Sequence, residues 1–181
     1  MVYISHQLPV PMQIGLSQTL GISQRKLRVI APDVGGGFGL KVYLDGETVA
    51  VAWAARRLGR PVRWIQDRME HLVCDANCRD HWYRITGYAD DDGRVLAIDC
   101  DCWCDTGAYS PWPWPAGIEA STAPGNITGP YAVRAVRGRA VTVATNKPPG
   151  QPYRGVARPG ACMAHETLMD ELAHQLDIEP H

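Results

Sequence analysis

Residues 81–104 constrain the fold more than any other part of the chain. Residues 81–88 read as a strand, Asp90-Asp91-Asp92-Gly93 as a tight turn, and residues 94–104 as the returning strand of a β-hairpin. In the returning strand Cys100, Cys102 and Cys104 alternate with Asp99, Asp101 and Trp103. Successive strand side chains point to opposite faces, so the thiols share one face, which Leu96 and Ile98 extend. That face belongs in a core, because a free cysteine packs as a small apolar side chain. Cys74 and Cys78 fit neither a CxxC zinc knuckle nor the start of a plant-type iron-sulfur motif. Reduced thiols and a cytoplasmic location are therefore expected.

Elsewhere the pattern mixes helices and strands. Helices are expected over residues 10–20, 46–58 and 160–176, with a weak one over 118–127. Short strands are expected over 26–30, 62–66 and 138–145. Gly21, Gly59 and Pro61 mark helix ends. No regular βαβ period runs through the chain, so the expected class is α+β, a mixed sheet with packed helices.

The 181 residues suit one domain or two small lobes. The net charge of -1 gives no electrostatic case for nucleic acid or a membrane surface. No run approaches the roughly 18 to 20 apolar residues that cross a bilayer. Neither end looks like a natural boundary, so residues 1–181 read as part of a longer subunit.

Chemistry concentrates in two segments. Asp33-Val-Gly-Gly-Gly-Phe-Gly39 lets backbone approach a ligand closely, yet it fits neither GxGxxG nor a phosphate-binding P-loop. As a plain turn it would not need Phe38. Pro152-Tyr-Arg-Gly-Val-Ala-Arg-Pro-Gly160 places Arg154 and Arg158 on a loop, where they suit an oxyanion or stand as surface charges. Gln7 taken alone reads as surface polarity. The histidines are too dispersed for a metal pair, and no GxSxG elbow is present.

Taken in order, the motifs resemble the large subunits of molybdenum hydroxylases: xanthine dehydrogenases, aldehyde oxidoreductases and carbon monoxide dehydrogenases. The resemblance begins at Arg28-Val-Ile-Ala-Pro-Asp-Val-Gly-Gly-Gly-Phe-Gly39 and runs through Ala54-Ala-Arg-Arg-Leu-Gly-Arg-Pro-Val62, Asp105-Thr-Gly-Ala-Tyr109 and Gly129-Pro-Tyr131. It continues through Thr145-Asn146, Tyr153-Arg-Gly155 and Asp170-Glu-Leu-Ala173. It implies a molybdenum-molybdopterin cofactor approached by Gln7, by Gly37, Phe38 and Gly39 through backbone amides, and by Arg154 with Gly155. Val42 and Val156 would face the substrate. Relatives acting on purines carry a glutamate and an aromatic clamp at those two places, and carbon monoxide enzymes carry a cysteine near Arg154. The resemblance therefore implies an aldehyde or another N-heterocycle, hydroxylated with water as oxygen source. It places no catalytic residue in this chain: the general-base glutamate is expected beyond its C-terminus. Partners would be the remainder of the large subunit and iron-sulfur and FAD subunits or domains. The chain alone is expected to be inactive. The alternative is a non-catalytic protein-binding module that keeps only the fold.

Overall fold

The hairpin forms as the alternation requires, β3 (His81–Ala89) antiparallel to β4 (Val95–Gly107), with His81 opposite Cys104. The computed structural model describes residues 1–115 and 117–180, so the histidine at 181 lies outside the described residues. On the other edge of β4 lies β5 (Ala135–Ala144), which runs parallel to it. Parallel neighbours need a crossover, supplied here by α4 (Ile118–Thr122) and a 3-10 turn at Pro124–Asn126. The start of β3 and the ends of β4 and β5 consequently meet at one end of the sheet. The class is α+β, with one parallel pair inside a mixed three-stranded sheet.

The cysteine face is a core face. Ile98, Cys100, Cys102 and Cys104 are fully buried. The long helix α5 (Arg158–Leu176) covers this face with Ala161, Ala164, Leu168 and Met169, a stripe at helical spacing. Ala120 and Ala123 from the crossover close it beside Cys102 and Cys104. Burial pushes the Cys100 thiol up to about 11, as expected of a structural thiol.

The remaining elements form a second cluster. Strands β1 (Val2–Tyr3) and β2 (Val29–Ile30) pair in parallel. Helix α1 (Pro9–Leu20) buries Met12 and Leu16 against them and against α2 (Gly46–Leu58). Asp45 caps α2 by accepting the Thr48 N–H at 2.5 Å, and Gly59 ends it in the left-handed conformation.

Three expectations change. Residues 62–66 form no strand: among the described residues no sheet pairing includes them. The expected strand over 26–30 shortens to Val29–Ile30, because Gln24–Lys26 is a 3-10 turn capped by Ser23. An unexpected helix, α3 (Arg68–Cys74), starts at a capping box in which Asp67 and Glu70 satisfy each other's main-chain N–H. Among the described residues no helix is long and apolar enough to cross a membrane.

Candidate functional site

The first loop is anchored from its N-terminal side. His6 is buried, its Nδ1 accepting the Leu8 N–H at 3.0 Å while the other ring nitrogen meets the Tyr43 carbonyl at 3.2 Å. Burial lowers the His6 pKa below its usual value, the Tyr43 carbonyl pulling the other way. The neutral ring fits these partners, since protonation would turn Nδ1 into a donor facing the Leu8 N–H. Next to it, the Gln7 N–H donates to the Lys41 carbonyl at 2.8 Å. The Gln7 Oε1 accepts the Gly39 N–H at 3.0 Å, and the exposed side chain keeps its Nε2 donors for another acceptor.

Two of the loop's glycines, Gly37 and Gly39, lie against these contacts. A methyl on Gly37 would overlap the Gln7 side chain, and one on Gly39 would overlap the Pro152 carbonyl. Gly39 has φ +102°, and Phe38 between them has φ +51°, a conformation that non-glycine residues rarely adopt. Phe38 is 54% exposed, so its ring is displayed rather than packed. Such strain persists only where the surroundings enforce it, and it clusters at functional sites.

The second loop leaves the end of β5 and is tied to the end of β4. Asp105 accepts from Thr145 Oγ1 at 2.7 Å and from the Gly107 N–H at 2.8 Å, and Lys147 lies 3.0 Å from it. Burial pushes the Asp105 carboxyl up, but these donors outweigh it and hold its pKa below the usual value. The Gly150 N–H donates to the Thr106 carbonyl, and Gln151 is buried with its Nε2 on the Trp114 carbonyl at 3.1 Å. The chain then turns at Gly155 (φ +97°) and Val156 (φ +54°), with the Val156 N–H on the Tyr153 carbonyl, before α5 begins.

The structure thus brings Gln7, Gly37, Phe38 and Gly39 together and sets the Pro152 end of the arginine loop against Gly39. Arg154 is exposed beside Gly155. Val42 is buried at 7% exposure behind the glycine turn, and Val156 is partly exposed at the corner of the arginine loop. Arg158 is exposed at the first position of α5. Beside the glycine loop a cleft of about 370 Å³ is lined by Ile4, His6, Lys41, Trp64 and His71 among others.

Sequence reading missed Arg79, His81 and Glu119. Arg79 donates to the Arg154 carbonyl and lies over the Tyr153 ring, 4.6 Å from its centroid. Glu119 and His81 form a fully buried pair at 2.8 Å. Arg79 lies just before β3, His81 at its start and Glu119 in α4, and no sequence motif joins them. Elsewhere, Cys162, His165 and Glu166 gather on α5 with donor atoms within 4.8 Å of one another. There the Glu166 carboxylate already meets Tyr131 at 2.7 Å and His165 at 3.2 Å.

The sequence matches the molybdopterin cofactor-binding domain family over residues 1–181. It is 32% identical over 180 residues to the nicotine 6-hydroxylase large subunit of Paenarthrobacter nicotinovorans, covering 99% of this chain and 22% of that protein. It is 36% identical over 179 residues to the carbon monoxide dehydrogenase large chain of Afipia carboxidovorans, covering 96% of this chain and 22% of that one. Among solved structures, quinoline 2-oxidoreductase from Pseudomonas putida 86 superposes with a TM-score of 0.94 at 37% identity, over 98% of this chain and 23% of that chain. The chain therefore spans about a fifth of the length of these relatives. Matched over residues 1–181 in sequence and over 98% of its length in backbone, it belongs to the molybdopterin cofactor-binding domain family.

Proposed function

We propose that residues 1–181 supply part of the molybdopterin site in the large subunit of a molybdenum hydroxylase, and that they are inactive alone. The observation that carries this reading is the meeting of Gln7, the Gly37–Gly39 turn and Pro152 in one strained, closely packed place. The residues fit the cofactor. The glycines leave room for close backbone approach, the Gln7 amide is fixed through its oxygen with its Nε2 still a donor, and Arg154 stands exposed on the neighbouring loop.

When bound, the cofactor supplies two-electron oxidation with oxygen drawn from water. The chain's own residues bind and orient. Gln7 Nε2 and the Phe38 N–H would donate toward the metal's ligands, while Gly39, whose N–H is taken by Gln7, fixes that amide instead. Arg154 and Gly155 would hold the metal end of the cofactor. Val156 would border the substrate directly, and Val42, buried behind the glycine turn, would shape that border from beneath. A general-base glutamate, iron-sulfur and FAD partners, and a cytoplasmic location belong to the same proposal.

For substrate, a nitrogen heterocycle is the better supported class, with an aldehyde second. Two similar proteins, nicotine 6-hydroxylase and quinoline 2-oxidoreductase, are named for nitrogen heterocycles. Carbon monoxide is disfavoured by the lack of any cysteine over residues 151–160.

The test is molybdenum and pterin content of this chain purified alone and after co-expression with the rest of its subunit. Metal held only by the reconstituted subunit supports the reading. A folded, reconstituted subunit without molybdenum overturns it in favour of a binding module that keeps only the fold.

A further inference from the structure

The turn at Gly155 and Val156 is strained, and the side chain that restrains it comes from outside both loops. Arg79, just before β3, has φ +63°, itself rare for a residue with a side chain. Its N–H donates to Glu119 Oε2 at 2.9 Å, and the same oxygen meets His81 Nε2 at 2.8 Å. His81 Nδ1 lies 3.1 Å from the Tyr83 hydroxyl. Glu119 is 3% exposed, so a buried carboxylate from α4 pins the Arg79 main chain.

From that fixed base the guanidinium reaches two consecutive residues of the arginine loop. Nη2 donates to the Arg154 carbonyl, and the guanidinium covers the Tyr153 ring. It does so although Arg79 Nε and Glu119 Oε1 are buried without hydrogen-bond partners, which costs stability. A local rule broken in order to restrain a strained loop points to a functional device.

A trans peptide is planar, with its C=O and N–H on opposite sides. Because the Arg154 carbonyl turns toward Arg79, the Gly155 N–H turns away from it. Among the described residues that N–H has no main-chain acceptor. We propose that Arg79 is a positioning residue which, by holding the Arg154 carbonyl and stacking on Tyr153, aims the Gly155 N–H at an anionic acceptor on the bound cofactor. This rests on the function proposed above.

The experiment uses the complete subunit with Arg79→Gln and Arg79→Lys. It follows folding by circular dichroism, the rate of cofactor release and the Mo(V) paramagnetic resonance spectrum. With the fold kept, Arg79→Gln should release cofactor about tenfold faster, the scale of one oriented hydrogen bond to a charged group. Its Mo(V) spectrum should also shift, and Arg79→Lys should recover only part of either change. A wild-type release rate and spectrum in Arg79→Gln overturn the proposal. Should Arg79→Gln fail to fold, Arg79→Lys, which keeps the charge but loses the planar fork, decides in its place: faster release than wild type supports the proposal, and a wild-type rate and spectrum overturn it. If the wild-type subunit holds no molybdenum, the function reading has failed. The loop restraint is then read by hydrogen exchange at the Val156 N–H, which Arg79→Gln accelerates; unchanged exchange removes Arg79 from this role.

Discussion

The side-chain oxygen of Gln7 accepts the Gly39 N–H at 3.0 Å, joining residues 32 apart in sequence. A methyl at Gly37 meets the movable Gln7 side chain, whereas one at Gly39 meets the Pro152 backbone at φ +102°. The two substitutions should therefore differ. Gly37→Ala should leave the melting temperature of the chain nearly unchanged and lower the molybdenum content of the complete subunit. Gly39→Ala should cost about 2 kcal/mol or more, seen as a fall in melting temperature. Equal thermal losses in the two variants would contradict this geometry.

Leu168 is buried between α5 and the sheet, beside Ile98 and Cys100. Leu168→Ala should destabilise the chain by about 2–4 kcal/mol, measured by chemical denaturation. A loss well under that range would mean the α5 interface is looser than described.

Glu119 serves both His81 and the Arg79 N–H from a position 3% exposed. Removing one member of a buried pair leaves the other desolvated and unpaired, so Glu119→Ala should cost about 3 kcal/mol. Glu119→Gln keeps an acceptor for the Arg79 N–H and should cost less. The order of the two denaturation midpoints checks this.

His6 gives a pH dependence. Its pKa in the fold lies below 6.5, chiefly through burial. The unfolded chain therefore takes up the proton first as pH falls, and stability drops below about pH 6.5 until the folded-state pKa is passed. Above about pH 6.5 this contribution is flat. His6→Gln should reduce that part of the slope in a plot of unfolding free energy against pH. An unchanged slope between about pH 5 and 6.5 would assign it to other groups.

The hairpin and its cysteine face were legible because strand alternation is a local property, and the placement of Ile98, Cys100, Cys102 and Cys104 follows from it. Helix α3 also carried a local signal, the Asp67 and Glu70 pair, but it is too short to show a periodic face. Residues 62–66 illustrate the converse: an extended, apolar-rich segment becomes a strand only if an edge is free to receive it, which no local pattern records. The parallel run of β5 beside β4 was equally hidden, since alternation does not encode direction. The glycine turn is visible as a motif, whereas Gln7 alone reads as surface polarity and gains a role only through the family resemblance; their contact depends on the fold of residues 8–36 between them. Arg79 had no signal at all, because its role depends on a carboxylate 40 residues away.

The three strands leave the sheet with two unequal ends. One end gathers the start of β3 and the exits of β4 and β5, while the Asp90-to-Gly93 turn closes the other, 13 residues of β4 away. At about 3.3 Å per residue the two ends are roughly 40 Å apart. A residue inserted within β4 would shift the hydrogen-bonding register and move everything at the first end, whereas extra residues in the turn would lengthen only an exposed tip. That tip is therefore the natural attachment point for a fluorophore or affinity tag meant to leave the loops at the opposite end undisturbed.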